Sequence, residues 1–122
     1  GASNCPFCLD TRELDYIIHE TDFFTVYYNK YPILWLNNHL LVTPKRHLVF
    51  TSQMSKEESA DLVEIEKFMK DYYKNSEYFS FIRQSNWWNA RSIEHFHYHY
   101  LPWEVYNNFI ADMLSYQWFD KK

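Results

Sequence analysis

Glycine is almost missing from this chain, because Gly1 is the only one among 122 residues. Turns must therefore be built by asparagine, aspartate, serine and proline. Long apolar runs are missing too: no segment approaches the roughly 20 uninterrupted apolar residues of a membrane span. No basic segment followed by an apolar run marks a secretory signal near the first residues. We therefore expect a cytoplasmic protein without a membrane partner.

Positive charge is also scarce, since 12 lysines and arginines face 16 aspartates and glutamates, for a net charge of −4. Binding along a nucleic acid polymer needs a basic face that neutralises many phosphates, so such a partner is not expected. One or two phosphates remain compatible, because a local positive site can act within an acidic protein. Four cations lie near histidine-bearing segments and are otherwise ordinary solvated charges: Lys45, Arg46, Arg83 and Arg91.

The residues that are present favour one globular domain, with 47% apolar and 21% aromatic content. Alternating patterns rich in β-branched and aromatic residues predict five strands, at 16–20, 23–28, 39–43, 78–84 and 95–101. Ser55 and Glu58 form a capping box that opens a helix ending near Asn75. Its core stripe is Leu62, Ile65, Met69 and Tyr72. This is an antiparallel α+β pattern, followed after Pro102 by a second apolar stripe at helical spacing.

Three of the six histidines, His95, His97 and His99, alternate with aromatic residues within the predicted fifth strand. Strand side chains alternate between faces, so the imidazoles should line one face while the aromatic residues between them are buried. A solvated strand would favour threonine, lysine or glutamate, and a purification tag would be contiguous and terminal. Three buried imidazoles would each need a hydrogen-bonding partner. The pattern therefore predicts a functional row of imidazoles.

Both cysteines stand in the segment Cys5-Pro6-Phe7-Cys8. Similar spacing occurs in dithiol redox centres, but those follow a strand and open a helix, and only four residues precede Cys5. A structural disulfide is unusual in a cytoplasmic chain. Two thiolates at this spacing supply half of a tetrahedral zinc site that histidines usually complete, so zinc is the favoured interpretation. The spacing alone does not say which histidines take part.

The alternating run at 95–101 and the segment at 29–47, which ends in the letters LLVTPKRH, resemble the histidine triad (HIT) superfamily over about residues 5–102. The resemblance implies a five-stranded antiparallel sheet with a main helix, commonly paired as a homodimer. It implies a single HIT-like domain over 1–122, with a zinc-binding segment at 1–10 and a C-terminal helical extension at 103–122. Members with an N-terminal Cys-x-x-Cys hold structural zinc, which here implies four ligands: Cys5, Cys8, His47 and His95.

The resemblance also implies a reaction. His97 would attack the α-phosphorus of a nucleoside phosphate and form a nucleotidyl-histidine, which water or another acceptor then resolves. Neutral imidazole is a competent nucleophile near pH 7, and a hydrogen bond from its second nitrogen to a carbonyl would fix its tautomer. His99 and Ser92 would hydrogen-bond to phosphate oxygens. His39 would support these histidines.

By the same resemblance, Asn29 would hold the ribose hydroxyls and Gln84 would contact the ribose or a phosphate. The loop before the triad has no glycine, and Arg91 stands where glutamine is usual, so its guanidinium would bind phosphate instead. Phe7 and Tyr27 are candidates for stacking on the base, although they also suit a core.

The function expected from these residues is hydrolysis at the α-phosphate of a dinucleoside polyphosphate or a nucleoside phosphoramidate. One alternative is a nucleotidyltransferase related to hexose-1-phosphate uridylyltransferases. The other is a non-catalytic nucleotide-binding module stapled by zinc.

Overall fold

The computed structural model describes residues 5, 7–8, 14–85 and 95–120, with the side chains of 15 and 117–120 excepted. Five strands are described: β1 (Ile17–Glu20), β2 (Phe24–Tyr28), β3 (Leu40–Pro44), β4 (Tyr78–Arg83) and β5 (His97–Pro102). They form one sheet in the order β1-β2-β3-β5-β4, and every neighbouring pair is antiparallel. The predicted α+β class and five-stranded antiparallel sheet are therefore confirmed.

The main helix, α1, runs over Lys56–Tyr72 and begins at the predicted capping box. The Glu58 N–H donates to Ser55 Oγ at 3.1 Å, and the Ser55 N–H donates to Glu58 Oε1 at 2.8 Å. These bonds satisfy two amides that a helix start would otherwise leave unpaired. The helix ends slightly before the predicted Asn75, because Lys74 and Asn75 take left-handed conformations with φ of 58° and 59°.

The hydrophobic core lies between α1 and one face of the sheet. Ile65 and Met69 of the predicted stripe are fully buried, while Leu62 and Tyr72 pack against the core at its margin. The sheet contributes alternate residues of its strands: Phe24, Val26, Leu40, Val42 and Tyr100. Strand alternation then turns the residues between them to the opposite face, which carries His97 and His99.

The fifth strand begins at His97, two residues later than predicted. His95 and Phe96 are both buried, but the Phe96 N–H donates to the carbonyl of Leu48 at 2.8 Å instead of joining the sheet. This contact directs His95 toward the two cysteines. The imidazole row is therefore a pair on the sheet face, with the first histidine turned aside.

The C-terminal extension is helical, as predicted, with a π-helical segment over Tyr106–Ile110 that continues into α2 over Ala111–Asp120. Tyr106 stacks on Phe79 of β4 with ring centroids 6.3 Å apart. Several apolar side chains of the extension remain exposed: Phe109, Met113, Leu114 and Tyr116. Within the described parts of the chain, no helix is both long and apolar enough to cross a bilayer.

Candidate active site and metal centre

His97 and His99 lie side by side on the sheet face opposite α1. His99 is the register partner of Leu41 in β3 and Phe81 in β4, and His97 is the partner of Arg83. The two imidazole centroids are 4.8 Å apart, and both rings are half-buried. The middle histidine is therefore accessible from solvent, as a nucleophile must be.

The tautomer of His97 follows from one hydrogen bond. Its Nδ1 lies 3.1 Å from the carbonyl oxygen of His95. A carbonyl can only accept, so Nδ1 carries the proton and Nε2 keeps its lone pair. The nitrogen farther from the backbone is thus the one able to attack an electrophile.

A second chain of hydrogen bonds orients His99. The backbone N–H of Ile33 donates to His39 Nδ1 at 2.9 Å, so that nitrogen is unprotonated and His39 Nε2 carries the proton. His39 Nε2 then donates to His99 Nδ1, also at 2.9 Å. The remaining proton of His99 must sit on Nε2. His99 therefore offers an N–H donor on the same face as the ring of His97.

The pKa values of these two histidines agree with neutral rings. Burial, with a smaller contribution from the charge of His97, lowers the pKa of His39 to about 4. Burial also lowers the pKa of His99 to about 3, assisted by the charges of His97, His39 and Arg83. Both imidazoles are neutral at pH 7, as the hydrogen-bond chain requires.

Phe81 also fixes the plane of His99, although its side chain is itself 48% exposed. The two rings stack with centroids 4.5 Å apart and planes only 10° from parallel. The sequence offered no signal for this contact, because it depends on the register of β4 against β5. Phe81 and His39 therefore hold the ring of His99 by stacking and by a hydrogen bond, respectively.

A cavity of about 380 Å³ opens beside the histidines over β2 and β3. Asn29 lines it, and its Oδ1 accepts the N–H of Tyr31 at 2.9 Å while its amide nitrogen lies 3.3 Å from His39 Nδ1. The remaining lining residues are mainly aromatic: Phe7, Tyr16, Tyr27, Tyr28, Lys30, Tyr31 and Leu41. The sequence predicted Phe7 and Tyr27 here but not the others, of which Tyr28 and Leu41 lie in β2 and β3 while Lys30 and Tyr31 follow β2.

Of three further residues predicted to bind the ligand, the structure describes Gln84. Gln84 Oε1 accepts the N–H and the hydroxyl of Thr51, at 2.9 and 3.1 Å, so this end of its amide is tied to the segment before α1. Ser92 and Arg91 lie outside the described residues. Their predicted roles therefore stay predictions.

The two cysteines converge with two histidines in a buried cluster. Cys5 Sγ lies 3.3 Å from His95 Nδ1, and Cys8 Sγ lies 3.2 Å from His47 Nδ1 and 3.9 Å from His95 Nδ1. One ligand atom from each of the four residues lies within 4.8 Å of all the others. The sequence pattern had named this same set through the resemblance.

The donor set fits a tetrahedral zinc ion. Zn–S and Zn–N bonds of about 2.3 and 2.0 Å place neighbouring ligand atoms about 3.5 Å apart, close to the distances between these thiols and imidazoles. His95 Nε2 donates to the carbonyl of Pro44 at 2.8 Å, which leaves Nδ1 free of a proton and turned to the cysteines. Burial raises the pKa of Cys5 to about 11, so a thiolate there needs a neighbouring cation.

Phe7 connects the cysteine segment to the ring of His97. It stands between the two cysteines in sequence, and its ring centroid is 5.4 Å from that of His97 and 5.8 Å from that of Tyr27. The same ring is part of the cavity wall. Any group that fixes the cysteines therefore also fixes one wall of the cavity.

This combination of an antiparallel sheet, a pair of histidines on one of its faces and a Cys2His2 cluster defines the class of a histidine triad protein. A family model described as HIT domain matches residues 12–104, about three quarters of the chain. The chain therefore belongs to the HIT family. Among proteins with curated descriptions, none matches it.

Solved structures with the same fold include three of different origin. NitFhit of C. elegans superposes with a TM-score of 0.62 at 22% identity, over 80% of this chain and 24% of that one. Plasmodium falciparum diadenosine triphosphate hydrolase, solved with cyclomarin A, gives 0.63 at 17% identity, over 84% and 70%. A zinc-bound histidine triad family protein of Mycobacterium smegmatis gives 0.55 at 21% identity, over 71% and 64%. The chain thus spans about a quarter of the first protein and about two thirds of the other two, and the likeness establishes the fold.

Proposed function

We propose that this protein hydrolyses a nucleoside phosphate at its α-phosphorus through a covalent intermediate on His97. The observation that carries the proposal is the directed hydrogen bonding of the site. The bond from His97 Nδ1 to the His95 carbonyl supports Nε2 as the nucleophile, and the chain from Ile33 through His39 supports His99 as a donor to phosphate. The diadenosine triphosphate hydrolase among the structural relatives supports a substrate of the dinucleoside polyphosphate kind.

In the first step, the Nε2 lone pair of His97 forms a bond to the α-phosphorus. The bond from phosphorus to the leaving group breaks, and its electron pair goes to the departing oxygen or nitrogen. His99 Nε2–H donates to a nonbridging phosphate oxygen, whose negative charge is stabilised in the transition state. Ser92 donates its hydroxyl to the same phosphate in this proposal.

In the second step, a water oxygen attacks the phosphorus and the N–P bond breaks. The electron pair returns to His97 Nε2, the water proton passes to solvent, and a nucleoside monophosphate is released. Asn29 holds the ribose in this proposal, and the aromatic cavity beside it takes the nucleoside. Gln84 and Arg91 contribute further ribose and phosphate contacts.

Cys5, Cys8, His47 and His95 are proposed to hold a structural zinc ion. The four protein donors fill a tetrahedral site, so no position remains for substrate. Bound there, the ion supplies cross-linking of the N-terminal segment to the sheet. Thiolate ligation suits a reducing compartment, in keeping with the cytoplasm.

Intact-mass measurement of a rapidly quenched reaction tests the proposal. With a panel of nucleotides we expect an increase equal to one nucleoside monophosphate in the wild type. His97→Ala should lose the adduct and hydrolysis while keeping nucleotide binding and metal content. His19→Gln is the matched control, because His19 lies in β1 and stacks on Phe68 of α1, on the sheet face opposite the site.

The same measurement separates the alternatives. Product formed only when a phosphorylated acceptor is supplied would identify a nucleotidyltransferase. Nucleotide binding without an adduct or turnover in the wild type would contradict the enzyme and identify a binding module.

A further inference from the structure

Arg83 shares the working face of the sheet with the nucleophile. It is the last residue of the edge strand β4 and pairs in register with His97 of β5. Residues directly opposite in an antiparallel pair point to the same face, with Cβ atoms about 5 Å apart. Arg83 is exposed, so its guanidinium can reach a ligand that lies above His97.

The strand order sets where the guanidinium lies along a bound nucleotide. The cavity sits over β2 and β3, on one side of β5, whereas Arg83 rises from β4 on the other side. A nucleotide with its nucleoside in the cavity and its α-phosphate above His97 therefore extends its remaining groups toward β4. Arg83 therefore lies where the leaving group, the part of the substrate beyond the α-phosphorus, would extend.

Other cations near the histidine segments have different roles. Arg46 forms an ion pair with Glu58 at 2.7 Å, and Lys45 lies 3.8 Å from Glu20. Lys30 lies over the ring of Tyr16, 5.3 Å from its centroid, and both residues line the cavity. The ion pairs of Arg46 and Lys45 do not involve His97 or His99. The charge of Arg83, by contrast, is close enough to act on His99.

We propose that Arg83 is a specificity-determining residue that binds the phosphate beyond the α-phosphorus and so favours polyphosphate over phosphoramidate substrates. This assignment rests on the proposed function. As the His97 Nε2–P bond forms, the bond from the α-phosphorus to the bridging oxygen breaks, and the electron pair stays on the departing phosphate. A guanidinium matches that anion in charge and in geometry. An amine leaving group departs with its electron pair, takes a proton from solvent, and offers no phosphate to bind.

The test compares two adenosine substrates, diadenosine triphosphate and adenosine 5′-phosphoramidate. Arg83→Gln should lower kcat/KM for the triphosphate by about tenfold or more, the scale of one lost charge-assisted hydrogen bond. The phosphoramidate value should change less than about twofold, because only shared groups contact that substrate. Arg83→Lys should restore part of the triphosphate rate, since it returns the charge without the planar fork.

Lys70→Gln is the matched control, because Lys70 is exposed in the last turn of α1 and lies on the other side of the sheet. It removes an equal charge and should leave both rates unchanged. A thermal melt of each variant confirms that the fold is kept. Equal losses on both substrates, or no loss on either, would overturn the assignment of Arg83 while leaving the hydrolase intact. Absence of turnover and of a His97 adduct in the wild type would instead overturn the proposed function, and this inference with it.

Discussion

One backbone N–H, that of Ile33, sets the protonation of two side chains. Because it donates to His39 Nδ1, the proton of His39 must lie on Nε2 and that of His99 must point away from His39. Ile33 begins a short helical turn that includes Leu34 and Trp35 in left-handed conformations, with φ of 54° and 56°. Such conformations are costly for branched or bulky residues. The turn that orients His39 and His99 thus stores backbone strain.

The lowered pKa values of His39 and His99 predict a loss of stability in acid. Their ordinary value is 6.5, and in the folded protein they lie at about 4 and about 3. The unfolded chain therefore binds more protons below pH 6.5, so the free energy of unfolding falls as pH drops from 6.5 toward 4. Each histidine contributes a slope of up to about 1.4 kcal/mol per pH unit in this window.

Urea unfolding of the metal-loaded protein at several values between pH 7 and pH 4.5 measures this slope. The double variant His39→Gln/His99→Gln is the comparison, because it removes both titrating rings and keeps the other acid-sensitive groups. We expect a clearly shallower dependence in the variant, whatever its absolute stability. Parallel curves for the two proteins would show that neither ring is buried in its neutral form.

Residues with an unusual spacing in the sequence could be predicted, whereas residues whose contacts depend on strand pairing could not. His97, His99 and the cysteine cluster were predicted because their spacing is unusual. Phe81 was not predicted, since its stacking on His99 depends on the register of β4 against β5. Asn29 came from the family pattern, yet the hydrogen bond from Ile33 to His39 reflects a left-handed turn that no simple residue preference indicates.

At the scale of elements, alternation and capping were sufficient to predict the sheet and α1. Five strands and the capping box at Ser55 appear within a few residues of their predicted bounds. The exception at His95 has a physical cause, because Phe96 bonds to Leu48 and frees His95 to face the cysteines. A periodic pattern cannot reveal a residue that leaves its strand to join a cluster. The π-helical segment at Tyr106–Ile110 was likewise not predicted, since an apolar stripe does not distinguish its i→i+5 hydrogen bonds from those of an α-helix.

The short N-terminal segment links the proposed zinc site to the cavity that we propose for the nucleoside. Removal of zinc by a strong chelator should lower the melting temperature by about 10 °C or more, because the metal cross-links residues far apart in the chain. Nucleotide affinity should fall as well, since Phe7 lies between the ligands Cys5 and Cys8 and forms part of the cavity wall. Melting curves and equilibrium nucleotide titrations, before and after chelation and zinc return, measure both effects.

The Phe7→Ala variant separates the effect on nucleotide affinity from the effect on zinc binding. It keeps all four ligands, so its zinc content should stay near one ion per chain while its nucleotide affinity falls several-fold. Cys8→Ser should lose both. A chelated protein with unchanged melting and unchanged affinity would contradict a structural metal at this site.

At the scale of the whole molecule, two features lie outside the part that matches the family. The HIT match covers residues 12–104, so Cys5 and Cys8 precede it and the helix α2 follows it. The cysteine segment contributes to the cavity through Phe7. The helix α2 carries exposed apolar side chains, of which Tyr116 is 67% and Met113 is 52% exposed. Clusters of exposed apolar residues on a helix are typical of an interaction surface.

The homodimer expected from the resemblance supplies the last prediction. If a second copy covers α2, introducing a charge at Met113 should place an unpaired carboxylate in an apolar interface and weaken association strongly. Met113→Glu should therefore run as a monomer, in sedimentation or light scattering, at concentrations where the wild type has twice the chain mass. Asn107→Glu is the matched control, because Asn107 is an exposed polar residue of the preceding π-helical segment. It should leave the mass of the assembly unchanged. A wild type that has the mass of one chain across the micromolar range would refute the dimer, and a Met113→Glu variant that stays dimeric would assign the interface to another surface.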